Sequence, residues 1–311
     1  MCKVSIITPC YNSSEFIEQT INSVRSQTFK DWEHIIVDDA STDDSGAKVS
    51  AYLKIEPRLR FMQQPHGGVS AARNKGFKIA SKKSTYLLFL DADDCLKPSM
   101  LQVMVAYLDE HPEVGLAYCK HRCIDGNGNL LPLNFKTGFR SRYAPTRFWL
   151  REVSDFDPET PFESIFSLAG IVLSLSLIRR KIYEQTTGFD EDFGQLFEDT
   201  DLILNIALVS EVHYIDQPLV LYRKHSKQST SDIDKLDRQE RKLYLKWNKR
   251  AWPSSSQKEI IEKAYRFNQG RVIPYIGIKA GNRYLKEKEF KKAARFYIGA
   301  IKRYIINFYL G

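Results

Sequence analysis

The stretch Tyr86-Leu87-Leu88-Phe89-Leu90-Asp91-Ala92-Asp93-Asp94 decides the architecture. Five apolar residues in a row are the mark of a strand buried on both faces, and three carboxylates follow within the next four positions. On either side, Lys3–Pro9, Trp32–Val37, Arg58–Gln63 and Val114–Cys119 read as further strands. Between them, Glu15–Gln27, Ser45–Ile55, Ser70–Ala80 and Met100–Leu108 read as helices; Phe16, Ile17, Thr20, Ile21 and Val24 share one face of the first. A β-α-β-α order predicts a Rossmann-like α/β fold, a mostly parallel sheet with helices on both faces. Ligands of such sheets bind beyond the carboxyl ends of the strands, so the chemistry is expected in the segments just after them.

After residue 120 the rhythm changes. Asp125-Gly-Asn-Gly-Asn129 reads as a hairpin turn, and residues 132–165 carry no assignable pattern. Ile171–Leu175 predicts a strand, Leu177–Gln185 a helix, Asp199–Val209 a clearer helix, and His213–Ile215 and Val220–Tyr222 two strands. From about Asp234 the pattern is helical to the end, with an interruption near Trp252-Pro253.

The 311 residues are 43% hydrophobic and 27% charged, which excludes wholesale disorder. No window approaches about 18 uncharged apolar residues, so no membrane span is expected. Met1–Ile7 has a strand's length and lacks a signal peptide's apolar run, which predicts a cytoplasmic address. The cysteines at 2, 10, 95, 119 and 123 read as reduced thiols, because Cys119 and Cys123 have no second pair with which to hold zinc. Charge divides the chain. Residues 231–311 hold 20 Lys and Arg against 8 Asp and Glu, whereas residues 1–230 hold 26 against 30. The division predicts a mildly acidic body followed by a basic helical region.

Four further clusters flank the Asp91–Asp94 segment, whose carboxylates at this density suit Mg²⁺ or Mn²⁺. Pro9-Cys-Tyr11-Asn12 closes the first strand; Tyr11 either stacks on a nucleobase or packs over the sheet edge. Asp38 and Asp39 close the second, where adjacent buried carboxylates are costly unless something binds them, although Asp39, Ser41 or Asp43 could cap the next helix. His66-Gly67-Gly68-Val69-Ser70-Ala71-Ala72-Arg73-Asn74 offers a glycine turn with Ser70 as N-cap and Arg73 in the first helical turn, fit for a phosphate or for plain structure. It is not a dinucleotide fingerprint, and no P-loop is present. Gly188-Phe-Asp-Glu191 and Glu198-Asp199 supply either helix-start charges or a general base.

In this order the clusters resemble the inverting family-2 glycosyltransferases of the GT-A fold, non-processive bacterial type, over roughly residues 1–225. The resemblance implies that Pro9 and Tyr11 frame a nucleobase, that Asp39 bonds its edge with Asp38 nearby, and that Arg73 sits near the nucleotide. It further implies that Asp91 approaches the ribose and sugar, that Asp93 ligates Mg²⁺ or Mn²⁺, and that Asp199, after Glu198, takes the acceptor proton at an ordinary carboxylate pKa. Within Leu221-Tyr-Arg-Lys-His225 it places His225 against the metal or diphosphate, with an exposed loop histidine as the alternative. The implied donor is a nucleotide-sugar, a UDP-sugar by preference, and the implied acceptor a glycan or lipid-linked hydroxyl in cell-surface polysaccharide synthesis.

The implied organisation is a catalytic region over 1–230 (a nucleotide-binding half at 1–120, an acceptor-binding half at 121–230) and a basic helical extension at 231–311. Gly281 to Ala300 resembles one tetratricopeptide-type hairpin whose preceding helix is near Tyr265–Ala280, or else a helical pair packed on the body. The basic, aromatic end fits peripheral contact with the inner face of a membrane better than nucleic acid. The competing expectations are a GT-A-like nucleotidyltransferase, whose glycine-rich signature is missing, and a catalytically silent nucleotide-sugar-binding scaffold.

Overall fold

The computed structural model describes residues 2–132, 171–193, 195–225, 233–250 and 288–309, together with positions 262, 278, 282 and 285. The unassigned stretch from 133 to 165, the break at Trp252-Pro253 and, apart from Ile278, the helix expected at Tyr265–Ala280 lie outside the described residues. The chain divides into two compact units, one holding the described residues up to 225 and the other those from 233 onward.

In the first unit, β1 (Val4–Cys10), β2 (Trp32–Asp38), β3 (Leu59–Gln63) and β4 (Tyr86–Phe89) run parallel in the order β3-β2-β1-β4. Beyond β4 the sheet continues as β7 (Ser176–Arg179), β6 (Val114–Ile124), β8 (Glu211–Arg223) and β5 (Cys95–Leu96). β7 is antiparallel to both of its neighbours, β6 and β8 are parallel, and β5 is antiparallel to β8. Every residue of β2 and β4 is buried; β4 is the continuous apolar run of a doubly covered sheet, while β2 buries Glu33, His34 and Asp38 among its apolar residues.

Helices α1 (Ile17–Arg25), α2 (Ser45–Leu53), α3 (Gly68–Ile79) and α4 (Met100–Glu110) fall where periodicity put them. α1 buries Ile17, Thr20, Ile21 and Val24, each aliphatic side chain contributing about 1.5–3 kcal/mol. α3 lies close against β1 because position 76 is glycine; a Cβ there would stand 2.4 Å from Ile7 Cγ2. That close approach sets the height of the α3 N-terminus, and with it Arg73, over the strand ends.

Three expectations are corrected. Ile171–Leu175 is not a strand; Leu173–Leu175 form a 3-10 turn, and the strand is β7, which takes up the first three residues of the segment Leu177–Gln185 whose pattern predicted a helix. Only Arg180–Tyr183 (α5) of that segment is helical. The reason is tertiary: Ser176–Arg179 fills the slot between β4 and β6, is buried throughout, and so shows none of the alternation of a half-exposed strand. Third, the two short strands after residue 210 are one long β8, whose register against β6 slips between Cys119 and Lys120, where Ile215 and Pro218 are the successive partners. The turn after β6 forms as expected, with the Asp125 carboxylate accepting from the amides of Asn127 and Asn129. All five cysteines are free.

After α6 (Glu198–Ala207) in the first unit, the second unit contains α7 (Ile233–Asn248) and α8 (Phe290–Tyr309). α7 buries Leu243 and Trp247; α8 buries Ala293 and Ala300 and exposes Phe290, Ile298 and Ile301. Among the described residues, no helix is long and apolar enough to cross a membrane.

Candidate active site

The acidic segment turns over the carboxyl end of β4 and is held there from two directions. The Asp91 amide donates to Ser174 Oγ at 3.0 Å. On the other side, the Thr20 hydroxyl on α1 is shared between the carbonyls of Ala92 and Asp94, at 2.8 and 2.9 Å. This geometry brings one oxygen each of Asp91, Asp93 and Asp94 within 4.8 Å of one another, the one such cluster among the described residues. His225, two residues past the end of β8, places Nε2 2.9 Å from Asp93 Oδ2, with its ring 4.8 Å from that of Phe16. Asp94 Oδ1 accepts from the Arg223 amide at 3.0 Å, while Asp94 Oδ2 is buried with no hydrogen-bond partner.

Burial, reinforced by the neighbouring carboxylates, raises the Asp94 pKa well above the ordinary value, and burial outweighs Arg73 in raising that of Asp91. An unbonded buried oxygen among crowded like charges is a ligand atom suited to a hard cation. The donor set therefore fits Mg²⁺ or Mn²⁺, which take oxygen ligands and complete their coordination with substrate phosphates and water.

Arg73 is the hub of the site. It is 4% exposed, and its guanidinium donates to Asp91 Oδ1 at 2.7 Å and to Glu198 Oε1 at 2.8 Å. One buried cation thus ties the end of β4 to the start of α6, with the Phe189 ring 5.2 Å from the guanidinium. The α6 entry is strained: Leu196 and Phe197 both have positive φ, 104° and 68°. Glu198 Oε2 accepts from the Leu196 amide at 2.7 Å, which holds that entry in place. The next residue, Asp199, accepts only its neighbour Thr200's amide and hydroxyl among the hydrogen bonds described, at 2.7 and 3.3 Å. Burial, then the charge of Glu198, pushes its carboxyl up to about 7, against the opposing pull of Arg73. The ordinary pKa expected for Asp199 is therefore corrected by its surroundings.

At the other end of the site the sequence expectations divide. Tyr11 is exposed and its ring lies 4.7 Å from that of His66, while Pro9 is half-buried at the end of β1. Asp38 faces inward at 1% exposure, accepting from the Ser41 amide and Gln63 Nε2. Asp39 caps α3 across space: its two oxygens accept from Gln64 Nε2 and from the amides of Gly67 and Gly68, all at 2.8 Å, with His66 Nδ1 2.9 Å away. Burial alone would raise its pKa, but these bonds together hold it below the ordinary value. Gly67, not Ser70, stands at the N-cap; the capping oxygens come from residue 39, beyond the reach of a local motif. Asp44, not Asp43, stands at the N-cap of α2; the Asp43 carboxylate accepts from the amide and hydroxyl of Ser45, the first helical residue.

Two residues given no role by sequence reasoning are part of the assembly. Asn74 bonds both the amide and the carbonyl of Phe189, stapling the Gly188–Glu191 segment to α3 beside Arg73. The adjacency of Asn74 to Arg73 in the glycine-turn cluster was the only available signal. His66, beside Tyr11 and Asp39, stood in the same cluster and could have been picked out by its ring.

The mostly parallel sheet, with its carboxylates gathered at one set of strand ends and a basic residue joining them to a second acidic helix start, defines a GT-A fold. Residues 5–186 match the model of "Glycosyl transferase family 2", and the chain belongs to that family. It is 44% identical over 228 residues to the "Uncharacterized glycosyltransferase EpsJ" of Bacillus subtilis (strain 168), covering 71% of this chain and 61% of that one. It is 27% identical over 228 residues to "Glycosyltransferase GlyA" of Streptococcus pneumoniae, covering 71% of this chain and 30% of that one. The chain therefore spans less than two thirds of these relatives' lengths. The same fold is found in Staphylococcus aureus TarS 1-349 in complex with UDP-GlcNAc, with a TM-score of 0.63 at 18% identity over 96% of this chain and 92% of that one. It is found again in the mannosyltransferase PcManGT from Pyrobaculum calidifontis, in complex with GDP-Man and Mn²⁺, at a TM-score of 0.61 and 17% identity over 97% and 87%.

Proposed function

We propose that this protein is a metal-dependent, inverting, non-processive glycosyltransferase. It moves one sugar from a nucleotide-sugar, UDP-linked by preference, to a hydroxyl of a glycan or lipid-linked acceptor in cell-surface polysaccharide synthesis. The observation that carries the reading is the Arg73 bridge, which joins Asp91, in the acidic segment after β4, to Glu198 at the helix start that bears Asp199. A donor-activating charge and a proton acceptor are thereby held on either side of one buried guanidinium.

In this reading Asp93, Asp94 and His225 hold Mg²⁺ or Mn²⁺, which when bound neutralises charge on the departing nucleoside diphosphate. Asp91 faces the ribose and sugar, and Arg73 fixes its orientation. Tyr11 stacks on the nucleobase above Pro9. Asp38 and Asp39 shape that pocket through the backbones they hold, and a base edge reaches Asp39 only by displacing one of its present donors. Asp199 takes the proton from the acceptor hydroxyl, and a pKa near 7 suits a base working at neutral pH. A single displacement from that side inverts the anomeric carbon. Glu198 sets the position of Asp199 through Arg73 and the Leu196 amide. Residues 1–230 form the catalytic region in this reading, with nucleotide bound by 1–120 and acceptor by 121–230. The basic helices after 230 place the enzyme at the inner face of the cell membrane. The presence of UDP-GlcNAc in TarS and of GDP-Man with Mn²⁺ in PcManGT supports the donor class and the metal for this fold.

The test is thermal unfolding with UDP, GDP, dTDP and ADP, each with and without Mn²⁺, on wild type and Asp93→Ala. A ligand at about 100 times its dissociation constant adds about 2.7 kcal/mol, a shift of a few degrees for a chain of this size. UDP is expected to raise the wild-type midpoint with Mn²⁺ and to lose that gain in Asp93→Ala. No shift with any nucleotide would sink the reading, and a shift without turnover of any nucleotide-sugar would favour a silent binding protein. Release of pyrophosphate from a nucleoside triphosphate and a sugar phosphate would favour a nucleotidyltransferase.

A further inference from the structure

Arg223 closes β8 and is fully buried. Its side chain reaches three separate pieces of chain. Nε donates to the Asp93 carbonyl at 2.8 Å, and Nη1 to the carbonyls of Asp125 and Gly126 at 3.0 and 3.1 Å. Nη2 donates to Gln19 Oε1 on α1 at 2.7 Å and approaches Cys95 Sγ at 3.7 Å. The guanidinium lies 4.9 Å from the centre of the Phe16 ring, the ring that also packs against His225. Its own amide holds Asp94 Oδ1, which leaves Oδ2 of that carboxylate as the buried, unbonded atom beside Asp91 and Asp93.

Three carboxylates within 4.8 Å repel one another, and a loop free to relax would spread them. The planar fork of arginine matches several fixed acceptors at once, which an ammonium on a flexible stem does not. We propose that Arg223 is a positioning residue for the divalent cation. It clamps the Asp93 backbone, the turn at 125–126 and α1 into one frame, so that the Asp93 and Asp94 carboxylates stand at cation spacing before the metal arrives. The proposal rests on the metal reading above and names a residue that neither touches substrate nor contributes a ligand atom. It also accounts for Gln19, whose amide oxygen on the polar side of α1 completes the frame.

The experiment is titration of the full chain with Mn²⁺ alone, and with Mn²⁺ plus UDP, reading free Mn²⁺ by electron paramagnetic resonance. Arg223→Lys keeps the charge and loses the fork; loss of such an outer support weakens metal binding about 10–100-fold. The defect is expected in the metal requirement, so raising Mn²⁺ should restore much of the turnover. Arg179→Lys is the control. Arg179 is also buried and bonded to the carbonyls of Leu108, His111 and Val114, well away in sequence from the acidic segment, so it should lose stability and keep its Mn²⁺ affinity. Should Arg223→Lys fail to fold, Gln19→Ala removes one acceptor of the frame and should weaken Mn²⁺ in the same direction. Unchanged Mn²⁺ affinity in the folded Arg223 or Gln19 variant overturns the proposal, as does an equal loss in Arg179→Lys. Failure of wild type to bind Mn²⁺ at all removes the metal reading itself, and the positioning role with it.

Discussion

Asp199 is a carboxyl whose surroundings work against its charge. Burial and Glu198 raise its pKa to about 7, so folding favours the protonated form. In the proposed role as base Asp199 is competent only when ionised, so kcat/KM should climb as pH rises through about 7. Asp199→Asn should lower kcat about 10²–10⁴-fold while leaving nucleotide binding intact, as steady-state rates and nucleotide titration would show. Stability runs the other way. A folded pKa above the unfolded one gives a contribution present below about 4 and lost as pH rises through 7. Asp199→Asn should therefore melt higher than wild type at pH 8, with the gap closing toward pH 4. Glu198→Gln removes the largest like charge on Asp199 and frees Arg73 to act on it more strongly, so the acid limb of the pH profile should move below 7. An unmoved limb would assign the titration to another group. None of this was legible locally, since the sequence around Asp199 reads equally well as ordinary charges at a helix start.

At the scale of elements, α3 carries the site because it lies so close to β1. A Gly76→Ala methyl would meet Ile7 Cγ2 at 2.4 Å, so the helix must lift or the strand must shift. Overpacking of this kind costs about 1–3 kcal/mol, which denaturant unfolding would measure. Because Arg73 sits three residues before Gly76 on the same helix, turnover should fall as well, beyond what lost stability explains at a temperature where the variant is folded. The elements themselves were well marked in the first 120 residues, where buried strands alternate with amphipathic helices and punctuation is clear. They were poorly marked at 171–185, because β7 is a four-residue insert whose state is set by the two strands it joins. The cap of α3 was misplaced for a related reason: its acceptor, Asp39, sits on another element.

On the scale of the whole molecule, charge and exposed apolar surface coincide in the second unit. Its helix α8 exposes Phe290, Ile298 and Ile301 beside Lys291, Lys292 and Arg295. A basic helix with an apolar stripe binds anionic bilayers, at about 1 kcal/mol per Lys or Arg near the surface. The full chain should co-sediment with vesicles containing anionic phosphatidylglycerol and release as salt is raised. Removal of residues 282–311 should abolish the association; an unchanged pellet would place any membrane contact elsewhere. By itself the sequence determined the α/β order, the acidic segment after the most buried strand, and the split between an acidic body and a basic tail. These are properties of neighbouring residues and their periodicity. Only tertiary structure decided that Arg73 bonds both Asp91 and Glu198, the latter 125 residues away from it, that His225 meets Asp93 across 132, and that the Asp199 carboxyl is pushed up to about 7. Those outcomes depend on burial and on charges brought in from distant segments, and no local pattern of residues encodes either.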